Sequence, residues 1–216
     1  MKPRNLLAGL FLVLVLFPSA SLEIAGLEGH MGMIWYGNSE RLYTPSPLKG
    51  SLGAALILSG GTSRLEFRPE LEMFFLDYVW DDASGRAVPA AVETADRISV
   101  LHLLASPAFV SRYPLDEEGK LSWGWLVSPS VLLRVPLLAR DNGGDTIGDV
   151  AFYLYSAGRF FYPTGGAFFQ WKFREKLVFS VEVKASLPIF NLWDGRGLGF
   201  YDQMIVNGTA GFRIPL

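Results

Sequence analysis

The sequence predicts an all-β fold, namely an eight-stranded antiparallel up-and-down transmembrane β-barrel. Three observations predict this fold class. Apolar and polar residues alternate over long segments, aromatic residues gather at the ends of those segments, and 50% of the 216 residues are hydrophobic. Yet no apolar run after residue 21 approaches the roughly 20 residues that a membrane-spanning helix needs. The apolar residues instead recur at every second position, which is the period of a β-strand.

The N-terminus has the layout of a secretory signal. Lys2 and Arg4 precede an apolar run from Leu6 to Phe17, and small residues follow at 18–21. A basic segment, a short apolar segment and small residues at the cleavage site are typical of signal peptides, and this run is too short to span a membrane. We predict a signal peptide over 1–21 and a barrel domain over 22–216. An uncleaved N-terminal anchor is the alternative.

Composition excludes several classes of partner and site. The chain has no cysteine, which excludes a lipoprotein anchor, disulfides and thiolate metal sites. Removal of Lys2 and Arg4 leaves 17 basic residues (19 − 2) against 21 acidic ones, a net charge of −4 (17 − 21). This balance gives no reason to expect nucleic acid as a partner. The remaining length corresponds to one domain.

The alternation is clearest over 64–75. Odd positions there are apolar, and the even ones are charged until Phe74, with Arg64, Glu66, Arg68, Glu70 and Glu72 in one row. The segments 123–135, 177–187 and 204–216 alternate in the same way. A secreted soluble β-protein is the alternative, because its strands also alternate. Segments of about 11–16 residues, against about 5–6 in soluble proteins, and aromatic residues at their ends favour the membrane barrel.

Eight segments can be delimited as strands. They are 24–36, 50–59, 63–79, 97–111, 120–136, 149–161, 167–189 and 201–215. Longer connections at 37–49, 80–96, 137–148 and 190–200 alternate with shorter ones at 60–62, 112–119 and 162–166. Membrane barrels have an even number of strands, with short turns on one side and long loops on the other. Both termini then lie on the short-turn side.

Two segments leave alternatives open. As one strand, 167–189 would point Glu175 outward, at a cost that reaches a few kcal/mol for a charge at mid-membrane. Either this stretch projects beyond the bilayer, or 174–176 is a hairpin turn. The turn would give nine strands and require a tenth, so we retain eight. Over 97–111, Leu101, Leu103 and Phe109 compete with Val100, Leu104 and Val110 for the outward face.

The signal peptide, the eight alternating segments and the C-terminal residues 209–216 together resemble small outer-membrane barrels of the OmpA transmembrane-domain, OmpX and OmpW kind. In these families the last strand carries an assembly signal, whose four defined places are filled here by Thr209, Gly211, Ile214 and Leu216. The chain departs from the pattern in ending on Leu216 instead of an aromatic residue, after Pro215. The resemblance implies the bacterial outer membrane as location, with its lipid and the barrel-assembly machinery as partners.

The polar faces of the predicted strands place a set of charges in the lumen. Its members are Glu28, His30, Arg64, Glu66, Arg68, Glu70, Glu72, Arg134, Glu182, Lys184 and Arg213. Buried charges are tolerated when they are paired, so we expect these residues to pair across the lumen and plug it. The alternative is a polar channel or pocket with a small-molecule solute as its partner. OmpW-like relatives are associated with passage of small, often hydrophobic molecules by a lateral route.

No catalytic, metal or cofactor site is predicted, and we expect a non-enzymatic, small porin-like or structural protein. Nucleophilic catalysis by serine needs an activating histidine, and the chain has two. Ser106 follows His102 by four residues, about 13 Å along a strand, and His30 has Glu28 beside it on the same face. An outer-membrane lipid-modifying enzyme, with His102 reaching a serine on a neighbouring strand, stays an alternative. So does a surface adhesin or ligand-binding barrel acting through outer loops, of which 80–96 is the longest.

Overall fold

The computed structural model describes residues 23–39, 46–59, 65–91, 94, 96–139, 146–174, 176–193, 195 and 197–216. The elements are β1 Glu23–Tyr36, β2 Leu48–Ser59, β3 Leu65–Asp81, β4 Arg86–Ala90, β5 Ile98–Pro114, β6 Leu121–Ala139, α1 Thr146–Tyr155, β7 Phe161–Arg174, β8 Leu177–Ser186 and β9 Ile205–Pro215. Two short 3-10 helices cover Ser156–Gly158 and Ile189–Leu192. Among the described residues, no helix is long and apolar enough to cross a membrane.

Eight of these strands form a closed antiparallel barrel, which confirms the predicted fold class. The strand order is β2-β1-β9-β8-β7-β6-β5-β3, and pairing of β2 with β3 closes the wall. The short strand β4 pairs with the end of β3, from Asp77↔Ala90 to Asp81↔Arg86, and extends that hairpin beyond the wall. Closure gives every barrel strand two hydrogen-bonded neighbours, so the wall has no free edge.

The strand count was right, but two of the predicted strands were wrong. The predicted strand 149–161 is mostly α1 and the 3-10 turn after it, because Val150, Tyr153 and Leu154 bury one face at the 3.6-residue period of a helix. The predicted strand 167–189 is in fact parts of two strands, β7 and β8, which form a hairpin. The pair next to the turn of this hairpin is Arg174↔Leu177. The chain reverses between the end of β7 at Arg174 and the start of β8 at Leu177. The two errors cancel in the count.

The connections lie as a transmembrane barrel requires. Those at 37–47, 82–97, 140–160 and 187–204 are long, while those at 60–64, 115–120 and 175–176 are short. The predicted short connection at 162–166 was wrong, since these residues belong to β7. Both ends of the wall meet on the short-turn side, where the Leu216 amide donates to the Ala25 carbonyl.

The alternation assigns every strand an inner and an outer face. On β5 the residues Val100, His102 and Leu104 are buried in the lumen, so Leu101 and Leu103 face outward, which resolves the open alternative. The outward residues form an apolar surface that we call the outer belt. Its exposed members include Leu27, Met31, Leu71, Met73, Phe75, Trp125, Val127, Leu133, Val183, Phe212 and Ile214.

The aromatic residues expected at strand ends divide between the two faces. Tyr113 stacks on Trp123 at 5.2 Å between ring centroids near the short-turn end, and Trp35 lies 6.5 Å from Tyr201 near the long-loop end. Three tyrosines near strand ends, Tyr36, Tyr78 and Tyr162, are buried inside the barrel. They sit at positions whose parity along the strand points into the lumen.

Candidate functional site

The lower half of the lumen, toward the short turns, holds a network of charged side chains. Arg68 on β3 donates to Glu182 on β8 at 2.7 Å and to Glu70 at 2.9 Å. Strands β3 and β8 are not neighbours in the wall. The ion pair between Arg68 and Glu182 therefore crosses the lumen and ties two opposite parts of the barrel together.

Lys184 on β8 is shared among three carboxylates. Its ammonium donates to Glu70 and lies 3.1 Å from a Glu182 oxygen and 3.4 Å from a Glu72 oxygen. Asn207 on β9 also donates to Glu72. Each of these side chains is at most 6% exposed. Burial of that degree is tolerated because every charge has an opposite charge within reach.

Nearer the short turns the network is more open to water. Glu66 accepts from Arg112 at 2.9 Å and from Arg213 at 3.2 Å, and Ser180 donates to Glu28 at 2.7 Å. The side chains of Glu66 and Arg112 are 13% and 29% exposed. Sequence reasoning missed Arg112, because it placed 112–119 in a connection, whereas β5 continues to Pro114.

His30 completes the described network. Its Nε2 atom lies 3.4 Å from a Glu70 oxygen, and the ligand-type atoms of His30, Glu70 and Glu72 fall within 4.8 Å of one another. This is a donor set that a metal ion could use. The ammonium of Lys184 already contacts Glu70 and lies beside Glu72, however, and it supplies positive charge at the same place. Arg64, also expected in the network, lies outside the described residues.

Arg134 lies apart from this network, in the upper half of the lumen. Its guanidinium donates to the carbonyls of Leu154 and Arg159 at 3.0 and 2.8 Å and to the Tyr162 hydroxyl at 2.8 Å. The Tyr155 hydroxyl donates back to the Arg134 carbonyl at 2.6 Å. Arg134 thus binds the carbonyl end of α1, where a helix leaves its last carbonyls without internal partners.

Above the charge network the lumen is filled by rings and α1. His102 stacks on Phe74 at 4.7 Å between ring centroids. Its Nε2 lies 2.9 Å from the Tyr78 hydroxyl and its Nδ1 3.2 Å from the Val100 carbonyl. Ser106 pairs instead with Ser130 at 2.8 Å. Both ring nitrogens of His102 are therefore engaged by groups other than a serine.

Hydrogen bonds at one carboxylate join the long connections at the upper end of the barrel. Arg86, at the start of β4, donates to both carboxylate oxygens of Asp202 at 2.9 and 2.7 Å, and Asp202 also accepts from the Ser39 amide at 3.0 Å. Arg86 and Asp202 are 1% and 0% exposed. Three of the four long connections therefore meet at one carboxylate, a contact that no local sequence signal announces.

The interior is filled at three successive levels. Glu72 in the lower network, His102 in the aromatic layer and Arg134 beneath α1 are 1%, 0% and 1% exposed. A water-filled lumen would leave inward side chains accessible, as in the larger porins. The arrangement suits a plugged barrel more than an aqueous channel.

The C-terminal strand shows why its glycine fits. A Cβ atom at Gly211 would lie 2.5 Å from the Gly29 carbonyl and 2.7 Å from Cβ of His30, so glycine permits β9 to pack against β1. Thr209 is buried on the inner face, while Ile214 and Leu216 are exposed on the outer face. The predicted signal peptide, 1–21, lies outside the described residues.

Comparison with known proteins identifies a fold and no family. No family model matches the sequence, and no curated protein matches it. The structure is similar to the crystal structure of Neisserial surface protein A, with a TM-score of 0.51 and 9% sequence identity over 91% of this chain and 99% of that one. That protein is an eight-stranded outer-membrane barrel. At this identity the likeness is one of fold.

Proposed function

We propose that this chain is a non-enzymatic barrel of the bacterial outer membrane, exported with a cleaved signal peptide, whose plugged lumen gives it a structural role. The observation that carries the proposal is the buried network around Arg68 and Lys184, which fills the lumen with paired charges. The outer belt supports a lipid environment, since a water-exposed surface seldom carries so extensive an apolar area. Outer-membrane lipid and the barrel-assembly machinery are the partners that this location requires.

The first test is heat-modifiability followed by conductance. We expect the mature chain, purified in detergent, to migrate differently on a gel before and after boiling, because a closed barrel resists unfolding in the unboiled sample. In planar bilayers the same protein should produce no steady conductance. A protein that is soluble without detergent and shows no gel shift would refute the membrane location. Steady conductance that changes in Glu66→Gln would refute the plugged lumen and favour a porin-like role.

A second candidate function is surface binding through the outer loops. Phe152 on α1, Leu192 and Phe200 are 77%, 78% and 67% exposed at the long-loop end. Loops on a rigid scaffold commonly carry binding, and apolar side chains exposed to water favour a contact.

This candidate is tested by binding of cells that display the protein to host or abiotic surfaces. We expect Phe152→Ser combined with Leu192→Ser to lower binding if these loops are adhesive, with the gel shift retained. Val183→Ser, an exposed belt position on β8 away from the loops, is the control. Equal binding by the wild type and both variants would remove the candidate.

A further inference from the structure

Four prolines form a row across four adjacent strands of the wall. Pro69 on β3 pairs with Pro107 on β5, and Pro129 on β6 pairs with Pro163 on β7. The pairs Ala105↔Val131 and Phe109↔Val127 bracket the middle of the row and place Pro107 opposite Pro129. All four have the parity of the outer belt and are partly exposed. We call this set the proline row.

The row interrupts the hydrogen-bond ladder within the wall. Proline has no amide hydrogen, and in sheets it is normally confined to edges and bulges. Strands β5 and β6 have no backbone pair between Ala105↔Val131 and Phe109↔Val127. Pro107 faces Pro129 in this unpaired stretch. The inner face is held by hydroxyls at the same level, since Ser130 contacts Ser106 and Thr164 at 2.8 Å each and Thr164 contacts Ser186 at 2.7 Å.

A groove of about 430 Å³ opens on the outer face at one end of this row, where Pro129 and Pro163 line it. It is lined by the short residues Pro129, Pro163 and Gly165 and by the larger side chains of Phe109, Phe161 and Leu187. Its volume lies within the roughly 300–1,000 Å³ of ordinary small-ligand sites, and none of the described residues that line it is charged.

We propose that this groove binds one hydrocarbon chain of a bilayer lipid, an inference that rests on the proposed membrane location. The groove opens into the outer belt near the middle of β6, so a ligand that enters it comes from the apolar part of a bilayer. An uncharged lining selects a hydrocarbon over a headgroup. Proline and glycine lose no side-chain freedom when they are covered, and the hydroxyls behind them hold the strands, so the site is preorganised.

The test uses proteoliposomes that contain a phospholipid with a photoactivatable diazirine in the middle of one acyl chain. After irradiation, labelled residues are mapped by mass spectrometry. We expect residues 127–129 and 161–165 to be labelled about fivefold more than the exposed positions of β1 and β9, the ratio given by a preference of about 1 kcal/mol.

Gly165→Leu should bring that labelling down to the level of β1 and β9. A Cβ at Gly165 meets one atom within 4 Å, the Leu126 carbonyl at 3.9 Å, so leucine fills the groove without displacing the wall. Gly208→Leu on β9, where a Cβ meets nothing within 4 Å, is the matched control and should leave the labelling unchanged. A gel shift retained by both variants shows that they fold.

Each other outcome overturns the assignment. Even labelling around the barrel, with the gel shift present, refutes the groove and leaves the membrane location standing. Absence of labelling anywhere on the barrel refutes both the groove and the membrane location.

Discussion

Replacement of Arg68 by leucine is expected to lower the free energy of unfolding by about 3–5 kcal/mol, the range for removing one partner of a buried ion pair. Arg68 is 3% exposed and bridges Glu70 and Glu182 across the lumen. Its loss leaves these carboxylates with Lys184 as the nearest cation. Leucine matches part of the volume of arginine, so the expected loss comes mainly from uncompensated charge.

Urea titration of the barrel in lipid vesicles, followed by tryptophan fluorescence and gel shift, measures this change. Lys120→Leu is the control, because Lys120 forms an exposed pair with Glu118 and surface pairs contribute little. The double variant Arg68→Leu with Glu182→Leu should recover part of the loss, since it removes an orphaned carboxylate. A loss for Arg68→Leu no larger than that of the control would mean that the network does not hold the lumen together.

Replacement of Arg134 by leucine is expected to cost about 3–5 kcal/mol and to release α1 from the mouth of the barrel. Three acceptors, the carbonyls of Leu154 and Arg159 and the Tyr162 hydroxyl, lose their donor inside a buried site. Each unsatisfied buried group costs about 1–3 kcal/mol. The loss should appear as faster proteolysis within 140–160 before the wall unfolds, because the strands on either side keep their ladder.

Limited proteolysis with peptide mapping, together with the urea titration, separates the two effects. Arg134→Lys keeps the charge but has its donors on a single nitrogen, which cannot reproduce the spread of the guanidinium, so its cleavage rate should fall between those of the wild type and Arg134→Leu. Arg97→Leu, which removes a partly exposed arginine 3.7 Å from Asp77, controls for loss of a loop-side arginine. Unchanged cleavage of 140–160 in Arg134→Leu would show that packing of Val150 and Leu154 alone secures the helix.

The wall was predictable from the sequence because a period of two residues sets both conformation and facing. On β3 and β8 every charged residue expected in the lumen, where described, lies there: Glu66, Arg68, Glu70, Glu72, Glu182 and Lys184. Prediction from the sequence failed where a segment fits both the two-residue period of a strand and the 3.6-residue period of a helix. A short apolar run such as 150–154 fits a strand or one helical face equally well. The helix forms here because it can bury Val150, Tyr153 and Leu154 over the lumen.

The contacts between distant loops were beyond sequence reasoning. Arg86 and Asp202 stand 116 positions apart in connections that have no period of their own, so nothing local distinguishes them from solvated surface charges. Arg134 shared the parity of the lumen charges and was grouped with them. Its partners are the carbonyls of Leu154 and Arg159, and these acceptors exist only because the chain forms a helix there.

The pairing of β1 with β9 has a consequence for the order of events in folding. Gly26 lies opposite Pro215, 189 positions later (215 − 26). One edge of β1 can therefore pair only after the last residues of the chain are in place. Closing so long a loop is entropically costly and slow. Until then β1 and β8 each present an unpaired edge that can join another chain. A chain that ended before β9 would therefore be an open, aggregation-prone sheet, and a smaller barrel would not result.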